Sequence, residues 1–263
     1  MTIPQQLLDP VPVLIVFIVF AIVALATYEI GFRVGRWWQK RTPDESEGPT
    51  GVLVGSILAL LAFLLAITMG MASDRFDTRR GVVLAEANTI NTTFLRAGYL
   101  PEPYGEEIRN LLREYVPLRI VSSNPTDLAA DIARSGEILD ELWVQAEKLV
   151  AETPNTDILA LFIDSLNELI ELHTTRVTAG LYARVPETVV LMLVIGAVLT
   201  MGVVGYSAGL TNRRSVLSAA ILVIALGATI LLVIDLDRPR DGFLQVSQQP
   251  LINLHERIGD PQP

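Results

Sequence analysis

A charged stretch that follows an apolar run of about twenty residues is the strongest candidate for chemistry in this chain. At about 100° per residue, Arg75, Arg79 and Glu86 continue one stripe of the apolar helix that precedes them. The apolar part of the stripe consists of Ile57, Leu61, Leu64, Thr68 and Ala72. Pores gate at apolar constrictions and select ions with rings of charge, so copies of this helix around an axis would form a pore. The alternative is that the arginines anchor the helix at the membrane interface and pair with Asp74 and Asp77.

A second group of charged residues follows the carboxyl end of the last apolar run. Asp235 and Asp237 lie beside Arg238 and Arg240. Two acids at the carboxyl end of a helix oppose its dipole, so nearby arginines must compensate their charge. We interpret these four residues as a structural clasp.

The remaining polar candidates indicate neither an enzyme nor a metalloprotein. His173 falls on an apolar helical seam, which is typical of a hydrogen-bonded core histidine. Asp164, Glu168 and Glu171 share the opposite side, where they form either a solvated face or a site for a hard cation. The sequence contains no cysteine and no E-x-x-H, H-E-x-x-H or glycine-rich phosphate motif. We therefore expect no catalytic residue, cofactor or metal.

Four apolar blocks must position these groups. Each is close to the 20 residues that a helix needs to cross about 30 Å of hydrocarbon, and no strand alternation interrupts the helical patterns between them. The blocks predict an all-α polytopic membrane protein with spans at about 13–34, 51–72, 185–210 and 216–234. The corresponding domains are a transmembrane hairpin over 1–72, a helical extramembrane segment over 73–183, a second hairpin over 184–234 and a tail over 235–263.

The second span and the middle segment form one continuous pattern. From Gly51 to about Ala97 the chain has no proline and no run of turn residues, which predicts a single long helix. The net charge of the whole chain is −9, and most of it belongs to 73–183. This acidity disfavours nucleic acid as a partner, since nucleic-acid binding needs a basic surface.

One acidic residue lies inside a predicted span. Glu29 either pairs with Arg33 one turn further on, or faces a cavity or a neighbouring helix within the membrane. The second interpretation is what an ion-driven, stator-like protein would require.

Three blocks of sequence resemble a known family. The blocks LLAFLLAITMGMASDRFDTRRGVVLAEANTINTTFLRAGYLPEPY, LNELIELHTTRV and DLDRPRDGFLQVSQQPL are similar to a bacterial membrane family with a bestrophin-like domain, and the resemblance covers about 51–254. Bestrophins are pentameric anion or cation channels whose second span lines the pore and continues into a cytoplasmic helical domain. Asp74-Arg75-Phe76 matches the start of their pattern, whereas their tryptophans are absent and Arg79-Arg80 stands near their Glu-Ala-Arg. The resemblance therefore implies a role for the second span and assigns no individual gating or calcium-binding residue.

Besides the stator-like protein, two functions remain open at this point. The first is a homo-oligomeric, bestrophin-like channel for inorganic ions in the lipid bilayer of the bacterial inner membrane. The second is a membrane-anchored interaction or signalling module without transport activity. The basic residues divide almost evenly between the two faces, so the sequence assigns no side of the membrane to 73–183.

Overall fold

The chain is all-α. The computed structural model describes residues 9–42, 48–120, 125–152, 156–238 and 242–259, and within these ranges it contains eight helices and no strand. In chain order the helices are α1 (Val13–Gln39), α2 (Gly48–Ala97), α3 (Tyr104–Arg119), α4 (Pro125–Glu152), α5 (Asp157–Leu181), α6 (Glu187–Leu210), α7 (Val216–Asp237) and α8 (Gln249–Ile258).

Helix α2 runs for 50 residues without interruption. The prediction of one long helix is confirmed. At 1.5 Å per residue it is about 75 Å long, more than twice the thickness of the hydrocarbon core. Its first half is apolar and its second half carries charged residues, as the change in composition after Ala72 indicates.

Among the described residues, four helices are long and apolar enough to cross a membrane. They are α1, α2, α6 and α7, and their most apolar windows have mean hydropathies between 2.5 and 2.8. Large apolar side chains cover much of their outer surface, including Ile22, Met192 and Leu217. Such exposure is expected of surfaces that face lipid rather than water.

The chain divides into two compact units. One combines Phe76–Ala183 with the chain from Val246 onward, and we call it the helical unit. The other combines the described residues up to Arg75 with Arg184–Gln245, and we call it the membrane unit. Helix α2 contributes its apolar half to the membrane unit and its polar half to the helical unit.

In the membrane unit, α1 and α6 pack in backbone contact at glycines. A Cβ added at Gly205 would lie 2.1 Å from the carbonyl oxygen of Tyr28, and one added at Gly31 would lie 2.1 Å from that of Gly202. Small residues allow helices to approach this closely in lipid, where van der Waals packing drives association. Gly205 and Gly209, which form a G-x-x-x-G pair on α6, both lie in this contact.

The helical unit is built around one apolar core. Its fully buried side chains include Ile90 of α2, Tyr115 of α3, Leu142 of α4 and Phe162 of α5. Each of these helices buries one apolar stripe in this core. Helix α8 also contributes to the core through residues such as Leu251; it lies in the segment for which the sequence indicated only a tail.

Candidate functional site

The stripe proposed to line a pore lies largely on the buried side of α2. Five of its eight residues are buried: Leu61, Thr68, Ala72, Arg79 and Glu86. Leu61 lies against α6, where a Cβ added at Gly196 would be 3.6 Å from Leu61 Cδ1. These five side chains are covered by other parts of the same chain, and their place in a pore stays a prediction. Periodicity identified the stripe, but not the neighbours that cover it.

The exposed side of the apolar half of α2 carries two adjacent surfaces. One consists of large side chains at helical spacing: Leu60, Phe63, Leu64, Ile67 and Met71. The other is turned from it by about a third of a turn and consists of small residues: Gly55, Ala59, Ala62, Ala66 and Gly70, all of them exposed. Of the predicted pore residues, Leu64 belongs to the large-residue surface, while Ile57 and Arg75 are half-buried at its border.

The polar half of α2 contributes Glu86 to a buried cluster of charges in the helical unit. Glu86 is shielded completely from solvent. Its Oε1 accepts hydrogen bonds from Arg119 Nε at 2.7 Å and from the Tyr115 hydroxyl at 3.0 Å. Its Oε2 accepts a hydrogen bond from Arg176 Nη1. Both oxygens of the carboxylate are therefore occupied within one chain.

Arg176 extends this cluster to other parts of the helical unit. Its Nη2 donates to the carbonyl oxygen of Arg119 and to Oε1 of Gln248, each at 2.8 Å. On α5, one turn before Arg176, the Nδ1 of His173 lies 3.3 Å from the Tyr115 hydroxyl oxygen. The cluster thus joins α2, α3, α5 and the segment that precedes α8.

The electrostatics of the cluster maintain one protonation state near neutral pH. Burial disfavours the charged form of Glu86, but Arg119 and Arg176 outweigh that effect and lower the pKa of the carboxyl. Burial raises the pKa of the Tyr115 phenol, which therefore stays protonated as a donor. Burial, aided by Arg119, lowers the pKa of His173 to about 4. Two guanidinium groups face one carboxylate, which is suited to holding helices together rather than to transferring protons.

A second charged cluster closes one end of the membrane unit. Arg184 forms a bidentate pair with Asp9, with nitrogen–oxygen distances of 2.6 and 2.9 Å. The Nε of Arg184 also donates to Asp237 Oδ2 at 3.2 Å, while Asp237 Oδ1 accepts the backbone N–H of Val185 at 2.7 Å. One guanidinium thereby joins the segment before α1, the start of α6 and the end of α7.

The other residues of the proposed clasp have backbone partners. Asp235 accepts the N–H groups of Phe243 at 2.7 Å and Leu244 at 3.0 Å. Arg238 Nη2 donates to the carbonyl oxygen of Val11 at 2.7 Å. These contacts support a structural clasp, and Arg184, which the sequence did not include in it, pairs there with Asp237. Arg240 lies outside the described residues.

The remaining candidates occupy separate places. Glu29 pairs with Arg33 at 2.9 Å, as the first alternative predicted, and also with Arg214 at 2.8 Å. Asp164, Glu168 and Glu171 are exposed on α5. In the part of the chain that the structure describes, no group of three or more histidine or acidic side chains is arranged to hold a metal ion.

Arg119, Arg176 and Arg184 are the main residues that the sequence did not single out. For Arg119 and Arg176 the sequence contained an indirect indication, which is the position of Glu86. Glu86 follows Val83 and precedes Ile90 on one apolar face, and a charge at such a position requires a buried partner. The sequence does not say which of its many arginines supplies that partner, because the choice depends on how the helices pack.

Comparisons with known proteins agree with this architecture. A family model described as "Bestrophin-like domain" matches residues 17–251. A crystal structure of a mutated bacterial bestrophin homologue from Klebsiella pneumoniae shares the fold with a TM-score of 0.66 at 14% identity, covering 92% of this chain and 97% of that one. A second mutated form from the same organism has a TM-score of 0.67 at 15% identity, covering 94% and 97%.

Two further results complete the comparison. A crystal structure described only as that of a membrane protein has a TM-score of 0.68 at 15% identity, covering 92% of this chain and 96% of that one. No curated protein matches the sequence. The family model covers most of the chain, including the apolar part of α2 and the Glu86 cluster, and we conclude that this protein belongs to the bestrophin-like family.

Proposed function

We propose that this protein is a homo-oligomeric ion channel of the bacterial inner membrane, with the apolar half of α2 lining the pore. The segment between α2 and α6 lies outside the membrane in this proposal. The fold shared with bacterial bestrophin homologues supports the proposal, and so does membership of the bestrophin-like family, whose members the sequence resemblance associates with channels rather than enzymes.

The observation that carries the proposal is the pair of exposed surfaces on α2. In a ring of helices, each helix needs one surface for a neighbouring copy and another for the central axis. Gly55, Ala59, Ala62, Ala66 and Gly70 form a surface that a neighbour can approach closely; a Cβ added at Gly55 or Gly70 meets nothing within 4 Å. The large-residue surface next to it would then face the axis.

The residues on that second surface suit a gate. Phe63 and Ile67 are 62% and 47% exposed although they lie in the middle of an apolar helix. Copies of them around an axis would form a constriction that closes by excluding water. Arg75, half-buried at the border of the same surface, would place a positive charge at the end of that constriction.

Flux measurements on purified protein in liposomes test the channel. We expect ion flux in vesicles that contain this chain, with a bestrophin channel as positive control and empty vesicles as negative control. Vesicles as silent as the empty ones, with correctly inserted protein, would contradict the proposal and favour the membrane-anchored interaction module. A monomeric particle in detergent would also contradict it, since one copy of α2 encloses no pore.

A further inference from the structure

One carboxylate in the membrane unit holds two arginines side by side. Glu29 of α1 accepts a hydrogen bond from Arg33 Nε on its Oε1 at 2.9 Å and one from Arg214 Nη2 on its Oε2 at 2.8 Å. Arg33 lies one turn further along α1, whereas Arg214 belongs to the turn between α6 and α7. The contact therefore holds two positive charges around one negative charge.

The packing of α1 against α6 explains why the two arginines meet. A Cβ added at Gly209, near the end of α6, would lie 2.4 Å from the carbonyl oxygen of Phe32, so the chain leaves α6 in backbone contact with α1. The following turn bends at Asn212, whose φ is 55°, a left-handed conformation that asparagine tolerates. The guanidinium carbon of Arg214 then lies 5.7 Å from the centre of the Phe32 ring.

Both guanidinium groups keep donors for a further anion. An arginine has five N–H donors, and Arg33 and Arg214 each donate one of them to Glu29. Their side chains are 76% and 53% exposed, compared with 28% for Glu29. The two arginines are thus more accessible than the carboxylate that joins them. Two accessible guanidinium groups at one place suit a phosphate, which they bind through paired hydrogen bonds.

The two arginines lie at the depth of lipid phosphates. Arg33 is about 20 residues beyond Val13, where α1 begins. At 1.5 Å per residue this distance is about 30 Å, the thickness of the hydrocarbon core. Arg214 lies just before α7, which begins at Val216. Trp37, one turn beyond Arg33, is 50% exposed, and tryptophan is enriched at the level of the headgroups.

Apolar side chains that face lipid flank the two arginines. Ile30 of α1 and Leu217 of α7 are 61% and 72% exposed. Acyl chains occupy the bilayer beside such side chains, so a phosphate attached to them is confined to the depth of the arginines. A free phosphate ion must instead be bound from dilute solution. Confinement of this kind raises the effective concentration of the bound group, and it favours a lipid over a free ion.

The chain around the two arginines carries an excess of positive charge. Basic residues outnumber acids by six to four over residues 29–50 and 211–215. That count includes three acids that lie outside the described residues, namely Asp44, Glu45 and Glu47. An excess of positive charge next to a bilayer attracts anionic lipids.

We propose that Arg33 and Arg214 bind the phosphate of an anionic phospholipid, in the leaflet where α1 ends and α7 begins. The phosphate accepts hydrogen bonds from both guanidinium groups, and Glu29 is the positioning residue that holds them together. Phosphatidylethanolamine would bring its ammonium group next to two arginines, whereas phosphatidylglycerol carries no such cation. This site does not depend on ion conduction, and a preparation that conducts no ions leaves it unaffected.

Native mass spectrometry of the purified protein in detergent tests the site. The delipidated protein is exposed to equal amounts of phosphatidylglycerol and phosphatidylethanolamine, and we expect each chain to retain one phosphatidylglycerol. In Arg33→Gln one of the two guanidinium groups is lost, and we expect retention to fall by about tenfold. The side chain of Arg33 is 76% exposed, so this variant should fold as the original protein does.

Two controls separate a positioned phosphate from simpler explanations. Lys40→Gln removes the same charge from an exposed side chain just after α1, while Glu29 keeps its pairs with Arg33 and Arg214. We expect Lys40→Gln to retain the lipid as the original protein does. Inorganic phosphate at the concentration of the lipid is the second control, and we expect it to leave phosphatidylglycerol bound.

Three results would overturn the proposal. Equal retention in Arg33→Gln and Lys40→Gln would assign the binding to overall charge rather than to the two arginines. Equal retention of both lipids by the original protein would remove the preference for an anionic lipid. Displacement of phosphatidylglycerol by inorganic phosphate would show that the site takes a free anion and not a lipid.

Discussion

The carboxylate of Glu86 on α2 lies 2.7 Å from the Nε of Arg119 at the end of α3, and both side chains are almost completely buried. Burying an ion pair this completely costs a large desolvation free energy. Close contact between the two charges and further hydrogen bonds must offset that cost. Arg176 and Tyr115 supply those bonds here. The pair therefore specifies how α2 packs in the helical unit, and its loss leaves two buried arginines without their anion.

Neutralising Glu86 should destabilise the protein strongly. In Glu86→Gln, Arg119 and Arg176 stay buried without a carboxylate, and loss of one partner of a buried pair costs about 3–5 kcal/mol. We expect a much lower melting temperature of the detergent-purified protein, measured by loss of soluble, correctly sized particles on heating. Glu168→Gln is the matched control, because Glu168 is exposed on α5. Equal melting temperatures for the two variants would show that the buried pair contributes little.

Stability should fall on acidification because of His173. Its pKa is about 4 in the folded protein and about 6.5 when unfolded. Between these values the unfolded chain binds a proton that the folded chain does not, so stability decreases as pH falls from about 6.5 to about 4. Because His173 is partly exposed to water, which weakens the effect, we expect the free energy of unfolding to fall by about 1–2 kcal/mol.

The second histidine provides the control for this effect. The chain has 2 histidines, and thermal melts at pH 7.5 and pH 5 can be compared in His173→Gln and His255→Gln. The first variant should lose much of the pH dependence, and the second should retain it. An unchanged pH dependence in His173→Gln would show that His173 does not cause the effect. Glu86 could not cause it either, because its lowered pKa preserves its contribution down to a pH below 4.5.

The contact between α1 and α6 should not tolerate a methyl group. In Gly205→Ala the new Cβ would lie 2.1 Å from the carbonyl oxygen of Tyr28, which belongs to the backbone and cannot rotate away. We expect a loss of about 1–3 kcal/mol from overpacking, visible as a melting temperature lower by about 5 °C. Gly196→Ala on the same helix is the control, because its Cβ meets Leu61 at an ordinary 3.6 Å. A Gly205→Ala protein as stable as Gly196→Ala would argue against close packing here.

Charge reversal at Arg75 should change ion selectivity if α2 lines the pore. Arg75 borders the large-residue surface of α2, whereas Arg80 is exposed on a different side of the helix. We expect Arg75→Glu to increase the permeability of cations relative to anions, by several-fold in reversal-potential measurements on liposome patches, since charged rings select the ions of opposite sign. Arg80→Glu should retain the original selectivity. The same selectivity in both variants would remove Arg75 from the conduction path.

The sequence by itself determined the elements and their chemical character. Four apolar blocks, each long enough for the bilayer, and the uninterrupted pattern from Gly51 to Ala97 required membrane-crossing helices and one long α2, because backbone polar groups in lipid must be satisfied within the helix. The apolar seams of the middle segment likewise determined which helical faces form its core.

Only the tertiary structure decided which side of α2 faces its own chain. Leu61 and Phe63 are both apolar residues of one helix, and nothing in their types distinguishes the buried first from the exposed second. The same holds for the arginines. Arg119 and Arg80 have the same side chain, yet packing of three helices places Arg119 against Glu86 and leaves Arg80 exposed. Helical periodicity defines relative angles around one axis, whereas partners across the chain depend on how several axes pack together.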